Sequence, residues 1–357
     1  MKIRYQFLII AINSLILLLI IEASSHFYLK SIGDKKPFFL NISNIKGEGD
    51  DVLNALDPHL GYAHGSNEDR VINLNENYTW HHGFVIYKKI EDPILRPDEV
   101  DRPIILALGG STTDGISYGH SWPEELAKNL ESLEIEGTVI NGGTGGYSTN
   151  QELLKLIRDG LEFHPDIVIS YSGVNDRGRY SELPHPMTHK FQRKLFEKIV
   201  DKQLPVVMPS TVALISHFSG DKKSNKLSLT FGVEVDRSLS GQFEKNVQIM
   251  KSISDSFGAE FVSFIQPYKY YTDNFDIDND EFSEFGTGRR NYISDVNFLY
   301  RDITKLSEKY DYIYDSTGVL DGHTGVYKKD GTHLLPEGDK IVSEYIFETI
   351  KPMLSKF

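Results

Sequence analysis

Ser111, Asp330 and His333 are residues whose types and spacing suit them to acyl transfer in this 357-residue chain. A serine hydroxyl is a weak nucleophile until a neighbouring base takes its proton. An imidazole base, in turn, needs a carboxylate to fix its tautomer and stabilise its charged form. Asp330 and His333 stand three apart in Asp330-Gly331-Thr332-His333, so one short loop can bring carboxylate to imidazole. Ser111 lies in Gly109-Gly110-Ser111-Thr112-Thr113-Asp114-Gly115, where glycines let a substrate approach the backbone. The tetrahedral intermediate of acyl transfer also needs hydrogen-bond donors aimed at its oxyanion. Two further segments offer them: the glycine-rich Asn141-Gly142-Gly143-Thr144-Gly145-Gly146-Tyr147-Ser148-Thr149, and Ser172-Gly173-Val174-Asn175-Asp176 with its side-chain amide. Each residue alone has a plainer reading. An isolated Ser111 would be a helix N-cap, and His323 is a rival base that lacks the carboxylate three residues before it.

The elements around these segments form a regular series from Pro103 onward. Ile104–Leu108, Thr138–Ile140, Asp166–Tyr171, Glu260–Ile265 and Tyr312–Tyr314 are short apolar runs of the kind that become buried parallel strands. Between them run helical patterns. Pro123 opens the one bearing Leu126, Leu130 and Leu133, and Leu153, Leu154, Ile157 and Leu161 mark the next. Others carry Phe243, Val247, Met250 and Phe257, then Phe298, Leu299, Ile303 and Leu306, and finally Ile341, Tyr345 and Thr349. Five strands alternating with amphipathic helices predict a mostly parallel five-stranded sheet covered on both faces. Active sites in such sheets lie beyond the carboxyl ends of the strands, and three of the four segments follow strands directly.

Taken together and in this order, the four blocks resemble the SGNH (GDSL-type) hydrolase family over about residues 103–355. The resemblance implies a flavodoxin-like three-layer α/β/α sandwich and a serine esterase that requires no metal or organic cofactor. It implies Ser111 as nucleophile, Asp330 and His333 as its partners, and an oxyanion hole made by Ser111, Gly146 and Asn175, where Gly146 stands five residues past Asn141. Trp122-Pro123, eleven residues after the serine, also looks like a recurrent family feature. One position departs from the pattern: Gly110 stands where the family usually has aspartate, although that acid is not the triad acid.

Other features weigh less. Tyr268, Tyr270 and Tyr271 follow the fourth strand on the expected active-site side, where sugar-stacking platforms and half-buried loop aromatics look alike. Arg289 and Arg290 could neutralise an anionic glycan there or simply be solvated. The glycines of 142–146 lack the Gly-Lys-Ser/Thr of a phosphate loop, and no dinucleotide fingerprint is complete. His81-His82 has no third ligand at recognisable spacing and reads as surface or packing histidine. Asp276-Ile277-Asp278-Asn279-Asp280 opens like a calcium loop, but Glu281 and Thr287 occupy the positions that require Gly and Glu. A net charge of −13 without a local Lys/Arg cluster argues against a nucleic-acid partner. The absence of cysteine excludes disulfides and thiolate chemistry.

The N-terminus bears on location. Lys2 and Arg4 precede an apolar run from Phe7 to Ile21 broken only by Asn13 and Ser14. Its length lies between a signal-peptide core and a full span of about 20 residues. The reading is therefore a signal anchor or transmembrane helix over 1–29, with a cleaved signal ending near Ala23-Ser24-Ser25 as the alternative. Residues 30–102 read as a stalk and irregular extension with short strands around Phe84-Val85-Ile86-Tyr87, and 103–357 as the hydrolase domain with an insert at about 180–240. The expected function is a membrane-tethered, extracytoplasmic serine esterase acting on an acetylated carbohydrate. A lipase, a thioesterase and a polysaccharide O-acetyltransferase would use the same triad. A non-catalytic glycan-binding or assembly protein would show a broken block, and none is broken.

Overall fold

The structure is a computed structural model. It describes residues 2–31, 54–57, 59–64, 75–90, 100–115, 119–177, 211, 214–215, 238–272, 275–276, 282 and 285–357. Most of the 180–240 insert, the Ile277–Glu281 part of the acidic loop and much of the 30–102 extension lie outside these residues. The chain forms two compact units, Met1–Asp51 with Arg193–Thr230, and Val52–Gln192 with Phe231–Phe357.

In the first unit the apolar N-terminal run folds as helix α1, Lys2–Ser31. Its register ends the run at Glu22, whose buried carboxylate accepts hydrogen bonds from the Thr211 N–H at 2.9 Å and hydroxyl at 2.8 Å. Among the described residues no helix is long and apolar enough to cross a membrane, so the expected membrane helix is not found. The physical reason is the short apolar stretch: fifteen residues before an engaged carboxylate fall below the ~20 that a span requires.

The second unit is a three-layer α/β/α sandwich. Its central strands β5 (Ile104–Gly109) and β7 (Ile167–Ser172) are buried along their whole length. With β6 (Thr138–Asn141), β8 (Glu260–Ile265) and β9 (Ile313–Asp315) they form the five parallel strands anticipated above, in the order β6-β5-β7-β8-β9. Period-two alternation splits their side chains between two cores. Leu106, Leu108 and Val168 face helices α3 (Thr149–Arg158), α4 (Leu239–Ser256) and α5 (Thr287–Ile303) on one side. Ile105, Ala107 and Ile169 face α2 (Trp122–Ser132) and α7 (Pro336–Leu354) on the other. A short helix α6, Leu306–Lys309, follows α5.

The sheet has seven strands rather than five, and it is mixed. β3 (Thr79–His81) and β4 (Phe84–Ile86) form a hairpin whose second strand pairs antiparallel with β6, with Ile86 opposite Ile140. This hairpin covers the edge that β6 would otherwise leave open. The short strand expected around Phe84-Val85-Ile86-Tyr87 is β4, but runs of three residues are too short to show the pairing that joins it to the main sheet. A second, separate hairpin joins β1 (Asn54–Asp57) to β2 (Gly61–His64).

Helix α3 begins with a capping box, Ser148 with Gln151, and buries an acid in its first turn. Glu152 is almost fully buried and accepts hydrogen bonds from the hydroxyls of Ser170, at 2.6 Å, and Ser172. Burial pushes its carboxyl up to about 7, against the two hydroxyls that favour the charged form. Between its ordinary value near 4.5 and about 7, the native state therefore holds a proton that the unfolded chain has lost. The stabilisation that this proton brings is present at low pH and disappears as pH rises through that window. Glu152→Gln, which cannot ionise, should be free of this loss. Urea unfolding at pH 4.5 and 7.5 should show E152Q gaining about 3 kcal/mol on the native chain over the interval. A constant difference between the two proteins would contradict the assignment.

Candidate active site

The carboxyl ends of β5, β6 and β7 deliver three of the four blocks to one edge of the sheet. After β5 the chain turns at once, with the N–H groups of Thr113 and Asp114 bonded to the carbonyl of Gly110. Ser111 sits in this turn. Its loop is pinned from below by the fully buried Trp122, whose indole N–H donates to Thr113 Oγ1 at 3.2 Å. Asn141, at the end of β6, braces the neighbouring loops together. Its amide donates to the Thr113 carbonyl at 2.7 Å, and its side-chain oxygen accepts from the Gly143 N–H at 2.8 Å.

Ser111, His333 and Asp330 form one hydrogen-bonded chain. Ser111 Oγ lies 2.7 Å from His333 Nε2, and His333 Nδ1 lies 2.8 Å from Asp330 Oδ2. A carboxylate only accepts, so Nδ1 carries the proton and Nε2 is left to accept from the serine hydroxyl. The other Asp330 oxygen accepts from the backbone N–H groups of Thr332 and His333, each at 2.8 Å. Partial burial raises the Asp330 carboxyl, but the bonds from His333 and these two amides prevail and hold it below its ordinary value. Gly331 makes the turn possible. Its φ of +69° is a left-handed conformation, and a Cβ there would stand 2.3 Å from the Tyr270 ring. His323, the rival base, is exposed.

The donors expected around the oxyanion lie on the same side. Asn175 occupies the single turn Val174–Arg177 after β7, and its amide donates to the Tyr147 carbonyl at 2.9 Å and packs against Gly110. Gly146 is exposed in the loop after β6, at φ +79°. The preceding Gly145 borders the nucleophile, since a Cβ on it would lie 3.9 Å from Ser111 Cβ. Asp176 is fully buried and accepts from the N–H and hydroxyl of Thr149, tying the turn after β7 to the start of α3.

The remaining candidates separate. Tyr268 is buried in the core, and Tyr271 packs edge-on to Tyr300. Tyr270 lies against Gly331, beside the triad loop. Arg289 donates to the Asp330 carbonyl, whereas Arg290 is not among the described side chains touching that loop. His81 packs edge-on against Phe163, a packing role.

Sequence reasoning missed the clasp on the glycine-rich loop. The Tyr62 hydroxyl, in β2, donates to the Gly145 carbonyl at 2.6 Å, and the Tyr147 hydroxyl donates back to the Tyr62 carbonyl at 2.6 Å. Asp114 accepts from the Gly145 N–H at 3.2 Å and lies 3.3 Å from His64 Nε2, with both side chains out of solvent. No local pattern marks Tyr62 or His64, because their partners lie 83 and 50 residues away. Asp114 stands three residues after Ser111, but nothing in that block singles it out.

Several solved structures are similar to this chain. The acetyl xylan esterase AlAXEase matches with TM-score 0.42 and 16% identity, over 69% of this chain and 99% of its own. A catalytic mutant of Axe2, an acetylxylan esterase from Geobacillus stearothermophilus, matches with TM-score 0.42 and 12% identity, over 70% and 95%. The lipase/acylhydrolase of Enterococcus faecalis matches with TM-score 0.39 and 14% identity, over 70% and 96%. A search of curated proteins returned no match. The model of the GDSL-like lipase/acylhydrolase family matches residues 107–287, half of the chain, a span that contains Ser111, Gly146 and Asn175. The chain belongs to that family and is a serine hydrolase acting on ester bonds.

Proposed function

We propose that the protein removes O-acetyl groups from a carbohydrate through Ser111, His333 and Asp330. The observation that carries this reading is the unbroken chain from Ser111 Oγ through His333 to Asp330, with separations of 2.7 and 2.8 Å. His333 takes the serine proton as Ser111 attacks the ester carbonyl. The Ser111 and Gly146 amides and the Asn175 side chain hold the oxyanion. Collapse of the intermediate returns the proton from His333 to the departing sugar hydroxyl, leaving an acetyl-serine. Water, deprotonated by His333, then releases acetate and restores the enzyme. A sugar substrate is supported by the tyrosine wall beside the triad loop, where Tyr270 faces Gly331 and the Tyr292 hydroxyl lies 3.3 Å from Thr332 Oγ1.

Action outside the cytoplasm is part of the proposal. It rests on Lys2 and Arg4 before the short apolar run, which would serve as an export signal.

The test is acyl release by the full chain from acetylated oligosaccharides and from p-nitrophenyl esters of increasing length, alongside fluorophosphonate labelling of Ser111. Release of acetate to water, with short acyl chains preferred, is the expected result. Preference for long chains would replace it with a lipase or thioesterase, and turnover only with a sugar acceptor would indicate an acetyltransferase. A folded chain with neither turnover nor labelling would be a binding protein.

A further inference from the structure

Two arginines converge on the wall of this site from segments 112 residues apart in the chain. Arg177 closes the turn that carries Asn175, and its guanidinium lies 3.7 Å from the centre of the Tyr292 ring. Arg289, in the first turn of α5, lies 5.2 Å from the same ring and 5.3 Å from that of Tyr270. Tyr292 meets Thr332, the neighbour of His333, and Arg289 holds the carbonyl of Asp330. One arginine thus flanks the triad on the oxyanion side and the other on the acid side.

Their bonding is unusual for an acidic protein. Among the described residues neither guanidinium is paired with a carboxylate, and their hydrogen bonds go to the main-chain carbonyls of Val174 and Asp330. A guanidinium has five N–H donors, so most on each arginine are uncommitted. Both side chains are half-buried and held by stacking on tyrosine, which fixes their direction and leaves their edges open to a ligand. The phenol oxygen of Tyr268 is buried near the same pair and has no hydrogen-bond partner. On a chain of net charge −13, two guanidiniums without a carboxylate partner stand out. A pre-oriented pair of unpaired guanidiniums suits a planar or tetrahedral oxyanion.

We propose that Arg177 and Arg289 form an anion-recognition subsite beside the reacting ester, so that the substrate is an acylated sugar that also bears a carboxylate or phosphate group. This rests on the esterase reading above, narrowing it from acetylated carbohydrate to acidic acetylated carbohydrate.

The test compares acetate release from O-acetyl galacturonic acid with release from the same sugar after its carboxyl has been converted to a methyl ester. The two differ in one charge near an identical acyl group. At low ionic strength the native chain should favour the acid by about tenfold in kcat/KM, chiefly through KM, and about 0.5 M salt should erase most of that preference. An acetylated hexose 6-phosphate, set against the unphosphorylated sugar, distinguishes phosphate from carboxylate as the preferred anion. In Arg177→Gln and in Arg289→Gln the acid-to-ester ratio should fall toward one, and Arg177→Lys should keep part of it. Should either glutamine variant fail to fold, the salt dependence of the native chain decides. A ratio near one for both anions, with the neutral sugar still cleaved, overturns the subsite and leaves the esterase standing. Failure to cleave any ester, with no labelling of Ser111, overturns the esterase reading, and the subsite falls with it.

Discussion

Replacing Ser111 or His333 with alanine should lower kcat on any acyl ester by at least about 10⁴-fold, and the double variant should be no worse than either single one. Non-additivity is the informative part. Ser111 Oγ and His333 Nε2, 2.7 Å apart, act on a single proton, so removing either partner removes the whole function. Asp330→Ala should cost less, because the imidazole keeps its contact with the serine and loses only its orientation and counter-charge. Steady-state kinetics on p-nitrophenyl acetate, with the four variants side by side, are sufficient. Additive losses, or an alanine at 333 that preserves turnover, would show that His333 does not act through Ser111.

The second large effect concerns Asn175. Asn175→Ala should reduce kcat by about 10²–10³-fold with little change in KM, because an oxyanion donor matters only once the carbonyl oxygen carries charge. Gly110 provides an independent handle on the same amide. A Cβ at Gly110 would stand 2.4 Å from Asn175 Nδ2 and 3.1 Å from the Tyr147 carbonyl to which that amide donates. Gly110→Asp, which restores the residue usual in the family, should therefore slow this enzyme by displacing its oxyanion donor. In the Asn175→Ala background the same substitution should add almost nothing. Kinetics of the two singles and the double form the cycle, and a Gly110→Asp variant as fast as the native chain would overturn the displacement.

The parallel strands and the blocks at their ends are legible in the sequence for a physical reason. A strand buried on both faces, such as Ile104–Gly109, must be apolar throughout, and the turn that leaves it needs glycine. Chemistry at that turn is thus punctuated on both sides. Asp330 and His333 are legible because they are three residues apart on one loop. A short strand around Phe84 is legible, but its place in the main sheet is not, since its pairing with β6 and its packing on Phe163 lie far along the chain. Arg177 and Tyr292 are likewise silent. Their contact joins the turn after β7 to α5, and nothing in either segment refers to the other. The apolar N-terminal run is legible as a helix, but the bond from Thr211 to Glu22 that ends it is not, because its partner lies far along the chain.

The Tyr62 clasp has a consequence for heredity and portability. The stretch recognisable by descent runs from 107 to 287, yet His333, Asp330 and the hairpin that grips the glycine-rich loop all lie beyond its borders. A transplant of the recognisable stretch into another scaffold would carry Ser111 without the imidazole and carboxylate that form its hydrogen-bonded chain.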